Sequence, residues 1–600
     1  MATNASSVES NLGKLPNWDL SDFYSSKDDP KIDADFNQSE EAAIAFAAAY
    51  EGKLNSLSGD QLAEAISKYE QAGEVMGGLM SYAYLLYAGD MTADGVAGFL
   101  QNARERANAI SNHALFFTLE LNRVEDKALE TKFAESAALT RYKPWIKQVR
   151  SFRPHQLSDE LETYIHETSV TGAAAWSRLF DETMAELRFS FEGKELSSAE
   201  IMNKLSDPSE DVRKNAAQTF GAVLKQNGRL FAQITNTLAK NKEIEDTKRS
   251  FERPVSSQNL SNQVEDEVVD ALVSAVRESF PQLSHRYFAL KAKWMGKDKL
   301  AYWDRNAPLP QKDLKPIPWE DATSKILAAY SDFSPELGAL GKKFFDNAWI
   351  DAPVRQGKAP GAFAHPTVPS VHPYLLVNYQ GKVRDVMTLA HELGHGVHQI
   401  LAGKQGNLMS STPLTLAETA SVFGEMLTFR SLLNATTDPE AKRILLAGKV
   451  EDMLNTVVRQ ISFHMFETAV HDRRRQGELS IEDLNEIWME TQIESLGSSV
   501  ELGDDYPYFW SYIPHFIHVP FYVYAYAFGD CLVNSLYAVY QNAEDGFAEK
   551  YLDMLASGGT KHHSELLAPF GLDAKDPAFW SQGLSMISGF IDELETMEVG

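Results

Sequence analysis

The sequence predicts a mainly α-helical protein with a small β-sheet, on three observations. Apolar residues recur at helical spacing through Ala- and Leu-rich segments over residues 40–185, and again from about residue 197 onward. Residues 186–196 alternate apolar and polar side chains around a Glu-Gly-Lys turn, which predicts a β-hairpin. Residues 372–379 form an apolar run that ends at a Gln-Gly pair, which predicts a buried strand.

A chain of 600 residues is too long for one hydrophobic core. We therefore expect two packed regions, an N-terminal helical lobe at residues 1–195 and a second domain at residues 196–600. The net charge of −28 argues against a nucleic-acid partner, because phosphate binding needs clustered positive charge. Cys531 is the single cysteine, so no intramolecular disulfide can form.

Neither a signal peptide nor a membrane span is predicted. Residues 1–19 are polar and lack a basic region followed by an apolar one. The most apolar long stretch, residues 519–540, contains Asp530 and Asn534 and is rich in tyrosine, which disfavours a span. We therefore expect a soluble, cytoplasmic protein with no membrane partner.

Residues 383–402 predict a helix with one apolar face, bracketed by glycines. On an adjacent stripe, His391 and His395 lie four residues apart and point the same way, which suits two ligand positions on a tetrahedral zinc ion. Glu392 lies beside them, where it can reach a water activated by the metal. The pattern is typical of zinc peptidases.

Two surface histidines on an ordinary helix are the alternative interpretation. The five-residue pattern is rare by chance in a chain with 15 histidines. Glycines at positions 394 and 396 also let another part of the chain approach this helix closely. Both observations favour the zinc site.

A zinc site of this kind needs a third protein ligand, and Glu418 is the first acidic residue after the motif, since residues 396–417 contain no Asp or Glu. A Ser-Thr-Pro sequence ahead of it predicts the start of a second helix, at residues 413–433. We expect this helix to pack against the first and turn Glu418 toward the zinc. Glu425, two turns further along the same face, is then a partner for a ligand histidine.

His398 is the competing candidate for the third ligand. If it does not bind the metal, we expect it to support the residues that do. It lies one turn from His395, but three ligands from one short helical span strain tetrahedral geometry. The metzincin motif, another zinc-binding pattern, does not fit, because the third and sixth positions after His395 are His398 and Leu401. Glu418 is therefore favoured.

Several stretches of the chain carry a family likeness. They are residues 388–398 (TLAHELGHGVH), 416–421 (LAETAS), 520–527 (PFYVYAYA), 15–20 (LPNWDL), 571–573 (GLD) and 579–580 (FW). In these motifs the chain resembles the thimet oligopeptidase family of zinc peptidases, specifically its oligoendopeptidase F branch. The likeness spans nearly the whole chain.

The resemblance implies a two-lobed, mainly helical zincin metallopeptidase, with a small β-sheet beside the active-site helix and a deep substrate channel. It implies one zinc ion at the channel floor, with His391, His395 and Glu418 as ligands and Glu392 as the catalytic base. The implied partners are short unfolded peptides, and the implied activity is that of an endopeptidase that spares folded proteins.

In the family, a histidine and tyrosines of a C-terminal segment contact substrate and stabilise the oxyanion. Here that segment is residues 510–540. Its candidates are two histidines and three of its tyrosines, namely His515, His518, Tyr522, Tyr524 and Tyr526. Core packing is the alternative for each tyrosine. Tyr524 and Tyr526 alternate with small residues, so both lie on one face if the stretch is extended.

The residues from Gly361 through Ala362 and Phe363 to Ala364 predict a short strand. By analogy with related peptidases, its backbone groups are expected to bind an extended substrate.

The predicted reaction is metal-assisted amide hydrolysis, in which Glu392 takes a proton from water and passes it to the leaving amine. The tetrahedral oxygen is expected to be stabilised by Tyr524 or Tyr526 with His515 or His518. Two other classes stay open: a zinc aminopeptidase or carboxypeptidase, and a non-catalytic protein that binds peptides. The sequence makes no prediction of the oligomeric state.

Overall fold

Helices dominate the part of the chain that the structure describes, so the mainly helical class with small sheets is confirmed. The structure, a computed structural model, describes residues 12–169, 171–309, 316–542 and 546–597. The prediction that no signal peptide is present concerns residues 1–19, of which 1–11 lie outside the described residues. No helix within the described ranges is both long enough and apolar enough to cross a bilayer.

Packing divides the chain into two compact units, each made of three separate chain segments. The first unit takes Met1–Arg153, Lys315–Ala435 and Asn542–Gly571, and the second takes Pro154–Leu314, Thr436–Gln541 and Leu572–Gly600. The predicted boundary between residues 195 and 196 falls inside the second unit. Each unit joins segments that are far apart along the chain, which no linear division of the sequence can represent.

The first unit packs helices around a three-stranded sheet. Its helices are α1 (Pro30–Tyr50), α2 (Gly59–Gly89), α3 (Val96–Asn112), α4 (Leu115–Arg123), α5 (Asp126–Glu135), α6 (Ala137–Arg141), α7 (Lys143–Ser151), α15 (Trp319–Phe333), α16 (Pro335–Asp346), α17 (Val383–Ala402), α18 (Leu414–Ala435), α24 (Phe547–Ala556) and α25 (His563–Leu567). Its strands are β4 (Ile350–Asp351), β5 (Phe363–His365) and β6 (Tyr374–Leu376).

The second unit contains the longest of the described helices and two small two-stranded sheets. Its helices are α8 (Asp159–Thr168), α9 (Ala173–Glu186), α10 (Ser198–Lys204), α11 (Glu210–Lys248), α12 (Ser256–Ser261), α13 (Asp266–Ser279), α14 (Ser284–Trp294), α19 (Pro439–Thr456), α20 (Val458–Arg474), α21 (Ile481–Leu496), α22 (His515–His518), α23 (Tyr524–Asn542) and α26 (Pro577–Thr596). Its strands are β1 (Phe189–Phe191), β2 (Lys194–Leu196), β3 (Leu300–Ala301) and β7 (Val500–Glu501).

The hairpin predicted at residues 186–196 is confirmed. Strands β1 and β2 pair antiparallel, with Phe191 opposite Lys194. The two residues between them, Glu192 and Gly193, have φ angles of 49° and 77°. Positive φ at both central residues is the geometry of a type I′ turn, which matches the twist of the flanking strands.

The sheet of the first unit has the order β4-β6-β5. The strand predicted at residues 372–379 is confirmed as β6, although only Tyr374–Leu376 is extended, and all three residues are buried. It pairs parallel with β4 and antiparallel with β5, with Ala364 opposite Leu375. Strand β5 is therefore an edge strand, and it packs against α17.

Helix α17 begins and ends where the sequence predicts, at Val383 and Ala402. Oδ2 of Asp385 accepts hydrogen bonds from the backbone amides of Lys382 and Gln380, at 3.0 and 2.8 Å, and so satisfies amides at the start of the helix. Helix α18, predicted at residues 413–433, runs from Leu414 to Ala435 and packs along α17.

Candidate metal centre

Helix α17 places two histidines on the stripe next to its buried face. The residues of its apolar face are buried, namely Val386, Leu389, Ala390, Leu393, Val397 and Leu401. This burial fixes the rotation of the helix about its own axis. The imidazole rings of His391 and His395 then lie one turn apart, with ring centroids separated by 4.9 Å.

Helix α18 brings a carboxylate to these rings. Oε2 of Glu418 lies 3.3 Å from Nε2 of His391 and 3.5 Å from Nε2 of His395. The three ligand atoms all lie within 4.8 Å of one another. Two imidazole nitrogens and one carboxylate oxygen are a donor set of catalytic zinc sites, which keep a fourth position for water or substrate. The residues present therefore fit a zinc ion.

Glycines let other parts of the chain pack closely against α17 and α18, as the sequence predicted for α17. A Cβ atom at Gly394 would collide with the backbone carbonyl of Ala420, and one at Gly396 would lie 2.6 Å from the ring of Phe344. A Cβ at Gly424, on α18, would meet the hydroxyl of Tyr330. That hydroxyl donates a 2.6 Å hydrogen bond to the carbonyl of Ala390 and so joins α15 to α17 beside the histidines.

Neighbouring groups hold the three candidate ligands in orientation. Nδ1 of His391 lies 3.2 Å from Oε2 of Glu425, so this carboxylate is the partner of a candidate ligand histidine, as expected from the sequence. The hydroxyl of Ser421 donates a 2.6 Å hydrogen bond to Oε2 of Glu418. The backbone carbonyl of Ala417 lies near His395 and opposes the lowering of its pKa by burial. Partners of this kind set the tautomer and the direction of metal ligands.

Glu392 lies on the same helix and is 8 % exposed. Burial raises its pKa to about 7, against the charge of His391 and a hydrogen bond from the backbone amide of Ala364. The carbonyl of Ala364 accepts a 3.3 Å hydrogen bond from Nε2 of Gln399. The carbonyl of Ala364 therefore faces α17 from the open edge of the sheet.

The electrostatics of the group favour a bound cation. Burial lowers the pKa of His391, but the hydrogen bond to Glu425 and the charges of Glu418 and Glu425 outweigh it and raise the value to about 9. Burial lowers the pKa of His395 to about 4. Burial also opposes ionisation of Glu418, yet the two histidines and Ser421 keep the pKa of Glu418 low. The carboxylates together create a negative potential at the ligand atoms, which attracts a proton or a metal ion alike.

His398 does not join the ligand group. It is buried, and its Nε2 lies 3.3 Å from the hydroxyl of Thr412. Burial lowers its pKa to about 4. The backbone carbonyl of Ala417, just before Glu418, opposes this lowering and therefore lies near His398. This position fits support of the third ligand and not the competing ligand role.

The strand predicted at residues 361–364 lies two residues further along, as β5. Phe363 is its first residue, whereas Gly361 and Ala362 precede it. Gly361 has a φ of 86°, which the missing side chain permits, and its carbonyl accepts a 2.8 Å hydrogen bond from Nδ2 of Asn378. The turn at Gly361 therefore delays the start of the strand.

The five C-terminal candidates belong to the second unit, and the structure brings three of them together. Nε2 of His515 lies 3.3 Å from the hydroxyl oxygen of Tyr526. The ring of His515 stacks on that of Tyr522 at 5.9 Å, and the rings of Tyr522 and Tyr526 are 5.2 Å apart. All three side chains are partly exposed, so they form one accessible cluster.

Tyr524 and His518 lie elsewhere. Tyr524 is fully buried, and its hydroxyl accepts a 2.8 Å hydrogen bond from Nδ2 of Asn262. For this tyrosine the structure therefore agrees with the alternative of core packing. Residues 524 and 526 do not share a face, because Tyr524 starts α23 and a helix turns about 100° per residue. Nε2 of His518 lies 2.9 Å from Oδ1 of Asp181, away from the tyrosines.

Comparison with known proteins decides the family. The model of peptidase family M3 matches residues 204–586, which is more than half of the chain, and the model named Oligopeptidase F matches residues 120–189. The chain belongs to peptidase family M3. It is therefore a metalloendopeptidase, and the resemblance to the oligoendopeptidase F branch is confirmed.

Curated and solved relatives of this M3 peptidase cover almost its whole length. Oligopeptidase PepF of Bacillus subtilis is 26 % identical over 97 % of this chain and 87 % of its own. A solved structure from Chlamydophila abortus covers 97 % of this chain and 100 % of its own, with a TM-score of 0.84 and 21 % identity. Oligoendopeptidase-F of Enterococcus faecium has a TM-score of 0.72 and 23 % identity, over 94 % of this chain and 98 % of its own. The two structures share its fold.

Sequence reasoning missed several residues that support the metal centre of this M3 peptidase. Ser421 lies three residues after Glu418 on one helix, so spacing alone could have found it. Tyr330 and the Ala364 amide reach the site from other elements. No local pattern signals these two.

Proposed function

We propose that this M3 peptidase is a zinc-dependent endopeptidase that hydrolyses short, unfolded oligopeptides, with Glu392 as the catalytic base. The observation that carries the proposal is the convergence of the three ligand atoms of His391, His395 and Glu418 within 4.8 Å. Glu392 lies on the same helix, next in sequence to the first ligand. The names of the relatives, oligopeptidase and oligoendopeptidase F, support peptides as the substrate class.

His391, His395 and Glu418 would hold the zinc ion. When bound, zinc acts as a Lewis acid that lowers the pKa of water and polarises a carbonyl oxygen. Glu425 keeps Nδ1 of His391 engaged, so that Nε2 is the nitrogen left for the metal. Ser421 holds one oxygen of Glu418 in the same way.

Glu392 moves the protons. Its carboxylate accepts a proton from the attacking water and later donates it to the leaving nitrogen. The Ala364 amide of β5 lies near this carboxylate, since it lowers the pKa of Glu392. A substrate bound along that edge, before Ala364, places its scissile bond beside Glu392; this is the role proposed for Gly361, Ala362 and Phe363.

Tyr526 is proposed to donate a hydrogen bond to the oxygen that becomes negative in the transition state. The 3.3 Å distance to His515 supports a pair in which the histidine orients the tyrosine hydroxyl. Tyr522 stacks on both residues and is proposed to contact the substrate. Tyr524 and His518 are not carried into this proposal. The cytoplasmic location stays a prediction from the sequence.

Two measurements test the proposed function. Metal analysis of the purified protein is expected to give one zinc per chain, lost in the His391→Ala variant. Product mapping on a short peptide blocked at both ends is expected to show internal cleavage, which an aminopeptidase or carboxypeptidase cannot perform. Absence of bound zinc, or cleavage only of peptides with free ends, would overturn the proposal.

A further inference from the structure

Two arginines of the second unit lie close together without a carboxylate partner. Arg305 follows the short helical turn at Tyr302–Asp304, and Arg459 lies on α20. Among the residues that the structure describes, neither guanidinium lies within ion-pair distance of an acidic side chain. This is unexpected in a chain with 84 acidic and 56 basic residues.

Within the described ranges, both guanidinium groups donate only to neutral phenol oxygens. Nη1 of Arg305 lies 3.3 Å from the hydroxyl of Tyr506, and Nη2 of Arg459 lies 3.0 Å from that of Tyr512. Nε of Arg305 is buried and has no hydrogen-bond partner in the part of the chain that the structure describes. Burial raises the pKa of Tyr506, and the charges of both arginines lower it, which places both charges near one hydroxyl.

The nearby carboxylate of Glu451 is already engaged. Its Oε1 accepts hydrogen bonds from Lys291 at 2.6 Å and from the hydroxyl of Tyr287 at 2.7 Å. Nζ of Lys291 also donates a 2.8 Å hydrogen bond to the carbonyl of Arg305. The charge of Glu451 therefore balances Lys291, and Arg305 and Arg459 are left with an excess of positive charge.

Arg305 and Arg459 both line one small cavity. Its volume is about 20 Å³, and polar side chains of Asn455, Ser462 and Gln492 join Arg305 and Arg459 in its wall, with no acidic side chain in the lining. A space of this size holds one water molecule or one small ion. Partly buried charges without a counter-charge destabilise the folded state, so an anion is favoured over water here.

We propose that this cavity binds a single monovalent anion the size of chloride, between Arg305 and Arg459. A carboxylate of a peptide has the same charge, and the experiment below distinguishes it from a free monovalent anion. Arg459 also lies near His515, since burial and then the charge of Arg459 lower the pKa of that histidine. Binding itself does not depend on the proposed function.

Thermal unfolding at constant ionic strength tests the proposal. Sodium chloride or bromide is compared with sodium gluconate, whose anion is too large for the cavity. An anion that binds only the folded state raises Tm. The rise is about 2 °C or more when the anion concentration is well above the dissociation constant. The difference between chloride and gluconate is expected to vanish in the double variant Arg305→Gln, Arg459→Gln. Bromide is expected to give an anomalous diffraction peak between the two arginines.

Arg249→Gln is the matched control. Arg249 is a half-buried arginine of the same unit, but it has a carboxylate partner, because its Nη1 lies 2.8 Å from Oε1 of Glu162. This variant is expected to lower Tm equally in chloride and gluconate. If the double glutamine variant does not fold, the single variants Arg305→Lys and Arg459→Lys, which keep the charge but not the planar donors, are expected to retain a smaller chloride response.

Three results would overturn the proposal. The first is an equal Tm in chloride and gluconate, which indicates screening by salt in general. The second is a chloride response that persists in the double variant. The third is evidence that a substrate carboxylate occupies the cavity. In that case Tm would show no difference between chloride and gluconate, and the Arg305→Gln variant would raise KM for a peptide with a free C-terminal carboxylate but not for the same peptide as its amide.

Discussion

Nδ1 of His391 lies 3.2 Å from Oε2 of Glu425, on the side of the ring opposite to the Nε2 atom that faces Glu418. Each nitrogen of this imidazole therefore has a carboxylate neighbour. Glu425 fixes the ring and its tautomer, so that the ring is already oriented before any metal binds.

The Glu425→Gln variant should bind zinc about 10- to 100-fold more weakly, because a neutral amide holds the imidazole less strongly than a carboxylate does. Competition with a chelator of known affinity measures the change. Glu336→Gln, an exposed glutamate in the first turn of α16, is the control and should bind zinc as the parent does. Equal zinc affinity in both variants would remove Glu425 from the site.

The Glu392→Gln variant should keep its zinc and lose about 10²- to 10⁴-fold in kcat, because the amide cannot accept the proton of the attacking water. Metal content and steady-state kinetics on a capped peptide are measured on the same sample. Near-normal turnover with full zinc occupancy would contradict the role of Glu392 as base.

The Gly394→Ala variant should separate α17 from α18, since its Cβ collides with the Ala420 carbonyl. A loss of about 1–3 kcal/mol in the free energy of unfolding is expected, together with weaker zinc binding because Glu418 moves with α18. Gly589→Ala is the matched control: it lies on the helix α26, and a Cβ there meets nothing within 4 Å. That variant should be unchanged or slightly stabilised. Similar behaviour of the two variants would refute the steric account.

The Tyr526→Phe variant should lower kcat by about 10²- to 10³-fold with little change in KM, as expected when a hydrogen bond forms only in the transition state. Tyr524→Phe is the comparison within the same segment. Its hydroxyl is bound to Asn262 in the core, so that variant should lower Tm and leave kcat near the parent value. An unchanged kcat in Tyr526→Phe would exclude the oxyanion role.

The buried carboxyl group of Glu467 should make the stability of the folded protein depend on pH. It is buried, its Oε1 accepts a 2.9 Å hydrogen bond from the backbone amide of Phe521, and burial raises its pKa to about 8. The unfolded chain has a pKa of about 4.3 for this group, so between these values the folded state binds the extra proton. Stability from this group is therefore complete below about pH 4 and is lost as the pH rises toward 8, by up to about 1.4 kcal/mol per pH unit.

The Glu467→Gln variant removes this titration and keeps an acceptor for the Phe521 amide. Its free energy of unfolding, relative to the parent, should rise steadily between pH 5 and pH 8 on the order of the slope above. Denaturant unfolding at several pH values measures it, with Glu336→Gln as the exposed control. A difference that does not depend on pH would show that Glu467 is ionised in the folded state.

Some features of the metal centre follow from the sequence because they are local. The period of apolar residues at 383–402 determines the helix and its buried face, and that face determines where His391, Glu392 and His395 point. Glu418 follows from the absence of any other carboxylate in the preceding loop. Spacing on the second helix then puts Glu425 on the same face. A helix repeats every 3.6 residues, so these relations need no knowledge of distant parts of the chain.

Other features were decided only by the tertiary structure. Sequence spacing left Tyr524 and Tyr526 equivalent, whereas packing buries the first against Asn262 and leaves the second beside His515. The division into units of three segments each, and the approach of Arg305 to Arg459, likewise depend on contacts between residues far apart along the chain. Burial, close approach and loss of water arise when distant segments pack, and a local pattern carries no record of which segments will meet.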